Sequence, residues 1–253
     1  MKIRRKAPKL SPSAPPLYVV GYRGSPPAPE ELAVWFDVEY GGPLRIQPVT
    51  GSPSGQSSHL RATHGPWEAT LSLLLPAADA EAWQESLAWG HACAGQISLP
   101  RASPGKAVDL VLFAARLARG LTLLTGGTAY DLRTQTYLNP SDWQDRPLTQ
   151  FAAQDHISVE QSDADAEGRE RFYTKGLAKF GLDELELFRP MGLPGRPTLE
   201  RLTDVAEEIV RLGQSPKVGA SLPLPNIGLT LSVVKHRTVP TGNDPVAFRE
   251  ISW

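Results

Sequence analysis

The chain has 253 residues, 41% of them apolar and 21% charged, proportions that exclude a disordered, fibrous or coiled-coil polymer. Its 26 basic and 27 acidic side chains leave a formal net charge of −1, so no global field draws it to nucleic acid or to an anionic membrane. A core of the size this length allows buries about 70% of the unfolded surface without help from disulfides or metal, and the single cysteine, Cys93, excludes an internal disulfide and points to a reducing compartment.

Residues 1–16 carry the basic side chains Lys2, Arg4, Arg5, Lys6 and Lys9, four prolines and no acid. They offer too little apolar surface to offset ordering and are expected to form a flexible basic tail. No apolar segment follows the basic start, and no run reaches the roughly 20 apolar residues of a membrane span, so the expectation is a cytoplasmic chain.

Strands are expected at Leu17–Tyr22 and Leu44–Val49, with a helix between them opened by Pro26 and the acidic pair Glu30 and Glu31 and running to Phe36. The Gly- and Ser-rich stretch from Thr50 to Ser58 reads as a loop, and Trp67–Leu73 alternates at period two as a half-buried strand. Asp79 is placed to cap a helix carrying Trp83 and Leu87 on one face, and Gln96–Leu99 closes the unit as a strand. The order β-α-β-β-α-β over residues 17–101 is that of a ferredoxin-like half.

Residues 102–253 are expected to form a second α+β half packed on the first. Ser103 and Pro104 open a helix that is apolar on nearly all sides as far as Leu121 and so reads as a buried central helix. Short strands at Thr128–Asp131 and Thr136–Leu138 follow, then a helix entry at Asn139-Pro140. Further strands are read at His156–Glu160, Arg171–Thr174 and Glu184–Leu187, with the acidic run from Ser162 to Glu170 as a hairpin tip. A helix capped by Thr198 carries Leu199, Leu202, Val205, Ala206, Ile209 and Leu212 on one stripe and stops at Gly213, and Ile227–Val234 gives one more strand. The fold class is therefore α+β, two packed sheet-and-helix halves.

From about residue 89 to 234 the chain resembles a mostly bacterial family, the domain of unknown function 4261. The likeness rests on Trp89-Gly90-His91-Ala92, on Leu124-Thr125-Gly126-Gly127-Thr128-Ala129-Tyr130, on the helix from Leu199 to Leu212, and most sharply on the core from Tyr173 to Leu187 with its Gly-Leu-x-x-Phe-Gly-x-x-Glu-Leu-Glu pattern. Members often carry a Gly-Asp segment after the last helix, where this chain has Val218–Leu222 without an acid. The resemblance implies the fold and a bacterial cytosol; it implies no activity.

Chemistry-bearing motifs are sparse. His59 and His64 with Glu68 do not have the spacing of metal ligands, and neither metal nor cofactor is expected. His91 beside Cys93 lacks a third group to make a nucleophile and base, and Gly51-Ser52-Pro53-Ser54-Gly55 has proline after its serine and no strand before it, so it is not a hydrolase elbow. Gly176 and Gly181 around Phe180 imply a special turn or a close approach by another chain, and Lys175 and Lys179, four apart, are candidates to face an anionic partner. The candidate binding residues are accordingly Lys175, Gly176, Lys179, Phe180 and Gly181. The expected function is a non-catalytic protein-binding module, an immunity or accessory protein recognising another protein. The alternatives are a hydrolase using His91 or His156 with a carboxylate, and a nucleic-acid accessory protein using the basic tail.

Overall fold

The strand Pro16–Tyr22 (β1) has almost no polar side chain to turn outward, and six of its seven residues are buried. A strand apolar on both faces belongs in the middle of a sheet. The computed structural model, which describes residues 16–49, 57–74, 91, 93–100, 107–240 and 245–253, places it there. β2 (Arg45–Pro48), β3 (Ser57–His64), β4 (Trp67–Leu74), β5 (Cys93–Ser98), β6 (Thr128–Asp131) and β7 (Thr136–Leu138) join it in a seven-stranded antiparallel sheet ordered β2-β3-β4-β5-β1-β6-β7.

The chain is thus mixed α+β with two sheets, but the ferredoxin-like order does not emerge in its first part. β3 adds a strand where a loop was expected to reach Ser58, and the sheet runs on through β6 and β7 from the second part of the chain. The helix expected from Asp79, with Trp83 and Leu87, lies outside the described residues, as does the basic tail.

The second sheet is six-stranded, ordered β11-β12-β13-β10-β9-β8, from β8 (Ser158–Ser162), β9 (Arg169–Lys175), β10 (Glu184–Pro190), β11 (Ser221–Leu224), β12 (Leu229–Val239) and β13 (Val246–Ser252). Its pairs are antiparallel except β10 with β13. Asp165 builds the expected β8–β9 hairpin tip, accepting from the backbone N–H groups of Glu167 and Arg169.

Among the described residues four helices cover these sheets. α1 (Pro29–Tyr40) begins at a proline with Glu30 and Glu31 in its first turn, as its sequence requires. α2 (Ala107–Thr125) is buried nearly all round: Leu112, Phe113, Leu117 and Leu121 enter the first core while Val111 enters the second. Gly120 lets α1 approach it, because a Cβ there would lie 2.5 Å from the Trp35 ring. α3 (Pro140–Gln144) is capped by Asn139, whose side chain accepts from the N–H groups of Ser141 and Asp142. α4 (Gly195–Leu212) lays Leu202, Val205, Ala206 and Ile209 on the second sheet. It starts three residues before the expected Thr198 cap; that hydroxyl instead receives a hydrogen bond from Arg189. Among the described residues no helix is long and apolar enough to cross a membrane.

Candidate functional site

The face of the second sheet away from α4 is polar and aromatic. On β9, Phe172 belongs to the core and its neighbours Arg171 and Tyr173 point the other way; on β10, Leu185 and Leu187 go inward and Glu186 outward, following the two-residue period of a strand. β12 reaches the same face by a bulge. Leu231 and Val233 are core residues, and simple alternation would turn Lys235 and Arg237 inward too. The register slips between Val233 and Lys235, so that Arg237 stands opposite Phe248 on the open face, the re-aiming that an extra residue in one strand produces.

A recess of about 550 Å³ lies above this face. Its floor carries Arg171, Tyr173 and Lys175 of β9, Arg237 of β12 and Phe248 of β13. Leu132, Arg133 and Gln135, from the turn joining β6 to β7, overhang it, so the first sheet forms part of its wall. Gln135 holds φ at +59°, a left-handed conformation uncommon for a residue with a side chain, and its side-chain carbonyl accepts from Lys175 Nζ at 3.0 Å.

Electrostatically the floor is built around one carboxylate. Glu186 is fully buried, and it accepts from Arg237 Nε at 2.6 Å and Arg171 Nε at 2.8 Å. Burial pushes its pKa up, but the hydrogen bond from Arg237 and the charges of both guanidiniums outweigh that and hold it below the usual carboxylate range. The Arg171 guanidinium lies 4.1 Å from the Tyr173 ring centre and 4.7 Å from that of Phe248, a cation set against two aromatic rings that meet each other edge to face. Glu160 accepts from Tyr173 Oη at 2.6 Å and pairs with Lys175 at 2.8 Å. Burial and the nearby Glu160 push the Tyr173 hydroxyl up to about 12, so it stays protonated at neutral pH.

The expected binding residues separate into an outer and an inner group. Lys175 is at the rim of the recess. Gly176 and Gly181 both sit at positive φ and bracket a single 3₁₀ turn, Leu177–Phe180. The close approach inferred for Gly176 is made by the chain itself, since a Cβ there would stand 2.5 Å from the His156 carbonyl oxygen. Glu184, buried in β10, secures the turn by accepting from the N–H groups of Gly176, Leu177 and Ala178 and from the Thr174 hydroxyl. Phe180 is buried, and Lys179 is inside the protein, its ammonium paired with Asp131 and donating to the His156 carbonyl at 2.7 Å. Lys175 and Lys179 therefore do not share a face. Spacing of four means a shared face only within one continuous helix or strand, and here a strand end and a left-handed glycine intervene.

The histidines are dispersed. His59 meets Ser72 Oγ at 2.8 Å, and His64 meets the Gly41 carbonyl at 3.0 Å; five apart on β3, they fall on opposite faces, and Glu68 pairs with Arg61. No group of three or more metal-ligating side chains occurs among the described residues. The His156 ring lies parallel to Phe151 at 5.1 Å, buried, with a hydrogen bond to neither nitrogen. Burial, with the charges of Lys179 and Arg146, lowers its pKa to about 3. For His91, burial and then Arg23 lower it.

The sequence reading missed Arg133, Arg171, Arg237 and Phe248 as a group. Their strands can be found one at a time, but the bulge that turns Arg237 outward has no local signature in Ser232–Arg237. Comparison with protein-family models, with curated proteins and with solved structures returns no match.

Proposed function

We propose that the chain is a non-catalytic binding module and that the recess over the second sheet is its recognition surface. The observation that carries this reading is the convergence of two guanidiniums, Arg171 and Arg237, on the single buried carboxylate of Glu186 beneath an open cavity. Such an arrangement fixes two donor groups in place at a concave site, the usual form of a recognition pocket. In the bacterial cytosol suggested by the sequence, the partner would be another protein, and Lys175 at the rim is the one residue shared by this reading and the sequence-based one.

The hydrolase alternative draws less support. His156 has no hydrogen-bonded carboxylate and stays neutral down to about pH 3, far from the range in which a general base operates. The nucleic-acid alternative rests on Lys2, Arg4, Arg5, Lys6 and Lys9, outside the described residues.

A tagged pull-down from native lysate, run with the unmodified chain and with Arg237→Glu and Lys175→Glu, tests the proposal. A stoichiometric protein retained at high salt by the first and lost from both variants supports it. An empty lane, or retention indifferent to both substitutions, removes it.

A further inference from the structure

More cationic than carboxylate side chains line the recess, Arg133, Arg171, Lys175 and Arg237 against Glu184. Glu160, Glu186 and Glu250 lie against it, Glu250 paired with Lys235. Every oxygen of Glu160, Glu184 and Glu186 is already occupied by a donor of the protein. Glu160 spends one on Tyr173 and one on Lys175; Glu186 spends both on Arg171 and Arg237; Glu184 spends both on the turn that follows β9 and on Thr174. On the donor side, Arg171 Nη2 is buried without a partner. Arg237, a little over a third exposed, has no acceptor for Nη1 among the described residues. The Arg171 guanidinium lies against the Tyr173 and Phe248 rings, whereas Arg237, lining the recess, has Nη1 available to an acceptor carrying negative charge.

The remainder of the lining limits what that acceptor is attached to. Pro16, Leu132, Val239, Val246 and Phe248 give the recess an apolar side, and its volume lies within the range of small-ligand pockets, about 300–1,000 Å³. A bare hydrated anion would leave that side unused.

We infer that the recess is a site for an organic oxyanion, a carboxylate or phosphate borne on a compact apolar body, with Arg237 contacting the oxyanion and Phe248, Val239 and Val246 contacting the body. Arg171 acts as a positioning residue. Set against the Tyr173 and Phe248 rings and bonded to Glu186, it holds the carboxylate that in turn holds Arg237 through Nε and Nη2, which leaves Nη1 directed elsewhere. The inference rests on the reading of the recess as the recognition surface and specifies its ligand chemistry.

Isothermal titration calorimetry of the full chain with benzoate, phenyl phosphate, inorganic phosphate and benzyl alcohol tests it. Benzoate or phenyl phosphate is expected to bind with one-to-one saturation. Arg237→Ala is expected to weaken that binding about tenfold or more, the loss of one charge-assisted hydrogen bond, while Arg237→Lys recovers part of it. In the unmodified chain, where misfolding is not at issue, the Arg237 Nε–Hε resonance should move with the same midpoint. Failure of both organic anions to saturate, an unmoved Arg237 resonance, unchanged affinity in a folded Arg237→Ala, or equal affinity for benzyl alcohol or inorganic phosphate would each overturn the inference. A protein captured through Arg237 without binding of either organic anion removes this inference and leaves the protein-binding reading standing; anion binding with an empty pull-down does the reverse.

Discussion

The ammonium of Lys179 is ion-paired with the carboxylate of Asp131, 48 residues earlier in the chain, and neither side chain reaches solvent to any extent. The pair ties the end of β6 in the first sheet to the turn after β9 in the second, and Tyr18 of β1 lies beside it, the Lys179 ammonium 5.4 Å from its ring centre. Burial raises the Tyr18 pKa well above that of an ordinary phenol, and Asp131 adds to the rise. For Lys179 burial favours the neutral amine, opposed by Asp131. Asp131→Asn keeps an acceptor for the N–H groups of Arg133 and Thr134 while removing the charge, and the stranded ammonium is expected to cost roughly 3–5 kcal/mol in urea unfolding. Asp131→Asn combined with Lys179→Met should lose less than the sum of the single changes. Strict additivity would show that the two groups are not coupled.

Acid should weaken the fold through His156. Its folded pKa of about 3 is below the ordinary value near 6.5, so the unfolded chain takes up a proton near pH 6.5 that the folded chain refuses. The contribution is complete above that pH and is lost as pH falls from 6.5 toward 3, amounting to about 2 kcal/mol between pH 7 and pH 5. His156→Phe preserves the stack on Phe151 and should flatten the dependence of unfolding free energy on pH in that interval. An unchanged slope would mean that the imidazole takes up its proton alike in the folded and unfolded chain.

Gly176 and Gly181 bracket the same turn but should respond differently to alanine. Both occupy positive φ, but a Cβ at Gly176 meets the His156 carbonyl, whereas one at Gly181 meets nothing within 4 Å. Gly181→Ala is expected to cost about 1 kcal/mol of backbone strain, and Gly176→Ala clearly more, because the backbone at His156 and Ile157, just ahead of β8, must also move away. Thermal unfolding of both variants measures the difference.

Glu184→Gln keeps the shape of the side chain and presents an amide N–H₂ to donors that need an oxygen. Four hydrogen bonds end on this carboxylate, and at least one buried backbone N–H loses its acceptor in the variant. A loss of about 2 kcal/mol in unfolding free energy is expected, with hydrogen exchange accelerated at Gly176, Leu177 and Ala178.

Some of this was legible in the sequence. β1, β4 and β6 to β10 follow from alternation or from short apolar runs, and α2 and α4 from their stripes and stops. β3 escaped because its inward residues include only Leu60 and Ala62 as buried apolar side chains, between histidines and next to a Gly- and Ser-rich stretch. β13 escaped because Arg249 and Glu250 interrupt its apolar pattern; both are held by ion pairs, Arg249 to Asp183 and Glu250 to Lys235, formed only when the sheet is assembled. The turn at Gly176 was legible from its glycines. The position of Lys179 was not, since its partner Asp131 is brought to it by the meeting of two sheets and leaves no mark in local spacing.

The parallel pairing of β10 with β13 bears on how the protein is made. β13 lies between β12 and β10, so when the first twelve strands have left the ribosome the second sheet is still two fragments, β8–β9–β10 and β11–β12, each with a bare edge. Those edges share no hydrogen bonds until the thirteenth strand arrives to join them, and unpaired edges invite association with neighbouring chains. The ion pairs on β13 place charge on the strand that fills the gap, so the chain would be most dependent on chaperones in the interval before Val246–Ser252 pairs with its two neighbours.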